Sequence, residues 1–194
     1  MILDFGCGAG PLWTQGEERV VGIDINSTRL RAAKGKIQVV CCDGRFLPFR
    51  DNVFRRIIAE SVLEHIQGYQ KALREIKRVI SEGGSCRIVQ PVDNDPIFFV
   101  ARRVARSWQH DRVYSKFTSG LLLRLMSGPF IIASVSYLSN SPLAGIFGFF
   151  NRKTPLLLSK LDGIYNLFCR TTGIFHWQVI VEASPSTLGR PSLR

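Results

Sequence analysis

Short apolar runs alternate with polar stretches of helical period through the first half of the chain. Ile2 to Phe5, Arg19 to Ile23, Ile37 to Cys41, Arg56 to Ala59 and Cys86 to Val89 are brief, mostly β-branched, and each is closed by Gly, Asp, Glu or Pro. Runs of this kind predict strands buried on both faces, as in a parallel sheet. Between the fourth and fifth runs, QGYQKALREIKRVISEGG places Ala72, Leu73, Ile76, Val79 and Ile80 on one helical face, and Gly83 with Gly84 is expected to stop the helix. The stretch NSTRLRAAKGK predicts a shorter helix capped by Asn26 or Ser27, with Leu30 and Ala33 inward and Gly35 at its end. Strands alternating with helices predict an α/β fold of the doubly wound, mostly parallel kind.

The second half is patterned differently. DPIFFVARRVARSW predicts an amphipathic helix, TSGLLLRLM a short helix, PFIIASVSYL a strand and HWQVIVEA a last strand. Residues 125–150 carry no charge, which by count is enough to span a bilayer. Pro129, Pro142 and Asn140 interrupt the stretch, and Ile132, Ser134 and Ser136 alternate as a strand does, so a membrane helix is not expected there.

Composition changes the picture in two ways. With 194 residues, 45% of them hydrophobic, the chain can bury one substantial core. Its five cysteines form no C-x-x-C pair and no secretory signal precedes them, so neither a disulfide framework nor a metal site is expected, and a reducing, cytoplasmic location is. The net charge of +11 is unevenly placed: residues 1–95 hold 14 Lys+Arg against 12 Asp+Glu, and residues 96–194 hold 12 against 3. The second half therefore carries +9 and is the half expected to attract anions.

Candidate chemistry sits at the ends of the predicted strands, where a parallel sheet places ligands. The opening MILDFGCGAGP runs a strand through Asp4 into Gly6, Gly8 and Gly10, with Pro11 suited to a first helical position. Bare backbone and a helix start thus meet a ligand closely. The third glycine of the dinucleotide pattern G-x-G-x-x-G would fall on Pro11, which argues against a nicotinamide cofactor. The next strand ends at Asp24, 20 residues after Asp4, where a carboxylate can accept from both hydroxyls of a ribose. The third is followed by Asp43, an acceptor for an exocyclic amine. A single aspartate at a strand end is usually a turn former; three in register point to a nucleoside.

With these motifs in order, the chain resembles the class I S-adenosylmethionine-dependent methyltransferases, in the group of small-molecule enzymes that includes those of quinone pathways (methyltransferase type 11-like). ILDFGCGAG is similar to the family's glycine motif, VVGIDIN to its ribose strand, CCDGRFLPFRDNVF to its adenine segment, and AESVLEHI with ALREIKRVISEGG to its fourth strand and following helix. The resemblance covers roughly residues 1–92 and implies a seven-stranded Rossmann-like sheet whose last strand is antiparallel, with S-adenosylmethionine as cofactor. It implies that Asp4, Gly6, Cys7, Gly8 and Gly10 form the glycine motif, with Gly6, Cys7 and Gly8 under the methionine part. It further places Asp24 and Ile25 at the ribose and adenine, Asp43 and Gly44 at the adenine, and Glu60 beside the methionine end. His65 is the candidate general base, its structural alternative being a packing role at a helix start. The expected organisation is one domain over residues 1–183, with a cofactor-binding half (1–95), a basic, apolar substrate-side region (96–176) and a flexible tail (184–194).

Two departures from the family stand out. Members usually carry a helix before the first strand, whereas this chain begins at the strand itself, and they tend to have Asp where this chain has Arg55. Three function classes follow. The first is methyl transfer to a small, lipid-like or anionic acceptor, with peripheral contact to an anionic membrane. The second is methylation of RNA or another nucleic acid, favoured by the basic half but lacking an N-P-P-Y-type motif. The third is a non-catalytic relative that binds the cofactor.

Overall fold

The computed structural model describes residues 1–10, 19–92, 117–138 and 178–186. Along these the elements are β1 (Ile2–Phe5), β2 (Val20–Asp24), α1 (Ser27–Ala33), β3 (Gln38–Cys41), β4 (Phe54–Glu60), a 3₁₀ turn (Leu63–His65), α2 (Tyr69–Val79) and β5 (Ile80–Pro91), followed by α3 (Ser119–Ser127), β6 (Phe130–Leu138) and β7 (Gln178–Pro185). The strands form one sheet in the order β3-β2-β1-β4-β5-β7-β6. β1 to β5 are mutually parallel, and β7 runs antiparallel to both β5 and β6. This is the Rossmann-like, mostly parallel seven-stranded sheet with an antiparallel last strand that the motifs imply. The predicted helix over DPIFFVARRVARSW, most of the first connection PLWTQGEERV, the SNSP to NLFCR stretch, and His110 and His176 lie outside the described residues.

Alternation along the strands separates two layers. Leu3 and Phe5 of β1, Ile57 and Ala59 of β4, and Ile88 of β5 join Ala72, Leu73, Ile76 and Val79 of α2 and Leu122 and Met126 of α3 in the main core. Ile2, Val20 and Ile58 form a smaller cluster. At about 25 cal/mol per Å² of apolar surface removed from water, the main core is the dominant favourable term in this fold. In α1, Asn26 is the cap: its side-chain oxygen accepts from Thr28 and Arg29 N–H, and Leu30 and Ala33 are buried.

One expected boundary is corrected. α2 stops at Val79, not at Gly83 and Gly84. Ile80 is drawn into the sheet opposite Phe54, while Val53 and Asn52 N–H bond to the Val79 and Arg78 carbonyls. Sheet pairing thus ends the helix before the glycines are reached. Those glycines serve a break in the β4–β5 ladder: Gly83 has φ +70°, and a Cβ on Gly84 would stand 2.9 Å from the Arg55 carbonyl oxygen. Apolar residues 125–138 are likewise divided between the end of α3 and β6. No helix among the described residues is long and apolar enough to cross a membrane.

Candidate functional site

Strand order reverses between β1 and β4, and chains leaving these two strands on the same side open a crevice at their carboxyl ends. A cavity of about 510 Å³ lies there, a volume suited to a nucleoside-sized ligand. Gly6 from β1, Asp24 and Ile25 from β2, Asp43 and Gly44 after β3, and His65 from the 3₁₀ turn are in its wall. Asp4, Cys7, Gly8, Gly10 and Glu60 are not among the lining residues, although Gly8 is hydrogen-bonded to Asp24 in that wall.

The glycine turn is built around positive φ. Gly6, Gly8 and Gly10 have φ of +83°, +53° and +113°, which side chains with a Cβ rarely adopt. A Cβ on Gly6 would collide with the Val62 side chain, whereas one on Gly8 would point into open space. Gly8 is therefore a backbone opening of the sort a ligand can approach. The turn is tied to the neighbouring strand because Gly8 N–H donates to Asp24 Oδ2 at 3.0 Å. Asn26 N–H donates to Asp24 Oδ1 at 2.7 Å, so two backbone donors hold the carboxylate at the cavity edge. Ile25 stands beside it, 71% exposed, an apolar surface without a cover.

Charge is arranged behind the turn. Asp4 is 5% exposed, and burial, followed by the charges of Glu60 and Asp24, pushes its carboxyl up to about 7. The register pairs Asp4 with Ile58, so alternation puts Glu60 on the same face. Cys7 is buried, its sulfur filling the space left by Gly22, and burial with the nearby Asp4 and Asp24 charges raises its thiol to about 12. Cys42, in the cavity wall, is raised to about 11, chiefly by burial. Both thiols are protonated near neutral pH and offer no nucleophile.

Across the cavity, Ser61 follows β4 with φ +48°, and the chain then makes the 3₁₀ turn that carries His65. Beside His65, Glu64 is buried and accepts from Gln90 Nε2 at 2.7 Å, with its other oxygen 3.8 Å from His65 Nε2. His65 itself lines the cavity, its side chain 42% exposed.

Sequence reasoning missed Arg45. Its Nε and Nη2 both reach Asp43, the shortest contact being Nη2 to Oδ2 at 2.6 Å, and its Nη1 donates to the Gln67 carbonyl at 3.0 Å. The guanidinium holds the Asp43 carboxyl below the usual carboxylate range. An Asp-x-Arg spacing at a strand end was the available signal. The same rim is stapled to α2 further along. Lys71 stands over the Phe46 ring at 3.3 Å, Leu47 N–H donates to Glu75 at 2.8 Å, and Arg78 donates to the Leu47 and Phe49 carbonyls and to Asp51. Arg29 and Gln67 of the wall also escaped notice.

Comparison with known proteins agrees with this geometry. Residues 3–88 match the family described as Methyltransferase domain. An uncharacterized protein of Methanocaldococcus jannaschii is 34% identical over 90 residues, 46% of this chain and 40% of that protein. The probable tRNA methyltransferase 9B of Bos taurus is 34% identical over 93 residues, 45% of this chain and 20% of its own length. The demethylmenaquinone methyltransferase of Corynebacterium urealyticum is 30% identical over 93 residues, 46% and 40% of the two chains. The matched region thus spans less than half of each of these relatives. Among solved structures, an S-adenosylmethionine-dependent methyltransferase from Mesorhizobium loti superposes with a TM-score of 0.63 at 19% identity, covering 95% of this chain and 90% of that one. Motif order, sheet topology and profile coincide over residues 3–88, the part of the chain that matches the methyltransferase domain family.

Proposed function

We propose that this domain transfers a methyl group from S-adenosylmethionine to a small acceptor with an anionic head and an apolar body. The observation that carries the cofactor part is the cavity at the switch point, with the open backbone of Gly8 and the backbone-held Asp24 at its edge. In this reading Gly6, Cys7 and Gly8 underlie the methionine part, Asp24 accepts from the ribose, and Ile25, Asp43 and Gly44 meet the adenine. Asp4 and Glu60 supply negative charge toward the methionine end. When bound, the cofactor supplies an already activated methyl group, so the protein's task is to hold the acceptor in line and exclude water. His65 at the opposite wall takes a proton from an acceptor hydroxyl, phenol or acid.

The acceptor class rests on the second half, where Arg102, Arg103, Arg106, Arg112, Lys116, Arg152 and Lys153 surround an uncharged apolar stretch. The likeness to a demethylmenaquinone methyltransferase supports it. A nucleic-acid acceptor is the second reading, favoured by the likeness to a probable tRNA methyltransferase and by the +9 charge.

One experiment separates them. The purified chain is incubated with methyl-labelled cofactor and either quinol-type lipids and amphiphilic acids or total tRNA. Binding to phosphatidylserine vesicles and to tRNA is measured at two salt concentrations. We expect label in the lipid fraction, and vesicle association that falls when Arg152 and Lys153 are replaced by Glu, with cofactor affinity unchanged. Label in tRNA, with binding that fades steeply as salt is raised, would put the second reading first.

A further inference from the structure

Asp43, the residue read as meeting the base, is engaged by Arg45 on both oxygens. Its Oδ1 accepts from Arg45 N–H at 2.9 Å and from Arg45 Nε at 3.0 Å. Its Oδ2 accepts from Nε at 3.0 Å and from Nη2 at 2.6 Å. A carboxylate offers about four lone-pair positions, and here three N–H groups of one arginine face them: the backbone N–H, the Nε–H shared between both oxygens, and an Nη2–H. The remaining arm of the guanidinium, Nη1, is tied to the Gln67 carbonyl across the rim. Asp43, Arg45 and Gln67 all line the cavity, so this contact lies in the ligand's path.

A base with an exocyclic amine that reaches Asp43 meets Arg45 on both carboxylate oxygens and shares the charge with it. The guanidinium is free to yield. Its side chain is 37% exposed, so water and the Gln67 carbonyl remain as partners once the carboxylate is released. An ion pair this open is screened and modest in strength, which makes it a competitor that a ligand can displace.

We propose that Arg45 competes with the exocyclic amine of the cofactor's adenine for Asp43, and so sets both the affinity for the cofactor and the selectivity at position 6 of its base. The proposal rests on the reading of Asp43 as the adenine-side acceptor. With Arg45 in place the rim presents donors, which suit an oxygen at position 6; with Arg45 displaced it presents an acceptor, which suits an amine. The competition is a tax on the amine alone, since an oxo base has nothing to gain from the carboxylate.

The test uses two stable probes, S-adenosylhomocysteine and its inosine counterpart, in which an oxygen replaces the amine. Calorimetry is run on the unaltered chain, Arg45→Met, Arg45→Lys and Asp43→Asn, with thermal melts to show that each is folded. Arg45→Met keeps the apolar stem and removes the competitor. It should bind S-adenosylhomocysteine about fivefold more tightly, the scale of a part-exposed charge pair, and leave the inosine probe unchanged or weaker. Arg45→Lys, which cannot grip both oxygens in the same fork, should fall between, and it carries the test if Arg45→Met does not fold. Asp43→Asn should weaken the adenosine probe. If Asp43→Asn weakens that probe but neither Arg45 variant tightens it, Arg45 is not a competitor and the proposal fails. If Asp43→Asn leaves the affinity unchanged, the reading of Asp43 at the base fails first, and the proposal with it.

Discussion

Asp24 and Asp43 follow neighbouring strands at the same cavity, yet they are held by different means. Asp24 is gripped by two backbone donors, Gly8 N–H from the adjoining turn and Asn26 N–H from the start of α1. Asp43 is gripped by the side chain of Arg45, two residues on. Backbone donors move only if the turn itself rearranges, so the Asp24 edge of the cavity is preformed. A side-chain donor has rotamers to choose from, so the Asp43 edge can exchange partners. The difference separates a rigid corner from an adjustable one within a single cavity.

The largest effect expected from breaking this contrast comes from the rigid corner. Gly8→Val puts a β-branched residue at φ +53° and a side chain in the open space the ligand needs. Binding of S-adenosylhomocysteine should be lost beyond detection, with about 1–3 kcal/mol of stability lost as well. Cys7→Ala removes only the sulfur packed against Gly22 and should retain binding; equal affinities in the two variants would show that the turn is purely structural. Asp24→Ala comes next. It leaves two backbone donors without their acceptor and removes the proposed ribose partner, and should weaken binding by about 2–3 kcal/mol. Calorimetry showing unchanged affinity in a folded Asp24→Ala protein would sink that assignment.

A pH dependence traced to Asp4, behind the rigid corner, is read chiefly in stability rather than in binding. Its carboxyl titrates near 3.8 when unfolded and at about 7 when folded, burial being the main cause. Between those values the folded protein keeps a proton that the unfolded chain has lost. Stability is therefore full below the lower value, falls as pH rises through the window, and levels off above the upper one. Asp4→Asn should flatten this slope in denaturant titrations at a series of pH values. It should also remove any rise in cofactor affinity as pH increases through 7, because the added negative charge arises on Asp4. A slope retained in Asp4→Asn would assign it to another group.

The cofactor half was the more legible because its signals are local. A glycine run can be read from residues that adjoin in the chain, as can the Asn26 cap and strands buried on both faces. β1 fell on the expected residues and β2 to β4 within one or two of them, whereas β5 begins at Ile80, six residues before the expected Cys86. What escaped depended on partners distant in the chain. The end of α2 was misread because Ile80 is claimed by Phe54, 26 residues earlier, and no local pattern announces that competition. Arg45 escaped because its value to the site comes from meeting both Asp43 and Gln67. Glu64 and Gln90 escaped for the same reason: two polar residues in apolar surroundings are understood only once they are seen to bond to each other.

The stapling of the rim along α2 has a consequence for how the protein opens. Leu47 N–H is bonded to the Glu75 carboxylate, Asn52 N–H to the Arg78 carbonyl and Val53 N–H to the Val79 carbonyl. Each of these amides can exchange its hydrogen for solvent deuterium only after that bond breaks, and all three bonds end within five residues of one helix. Fraying of the last turns of α2 is therefore expected to expose the loop amides as well, although the two are separated by more than twenty residues in the chain. Hydrogen exchange at Leu47, Asn52 and Val53, set beside that of the α2 amides, measures the link: equal rates are expected, and independent rates would show that the loop opens alone.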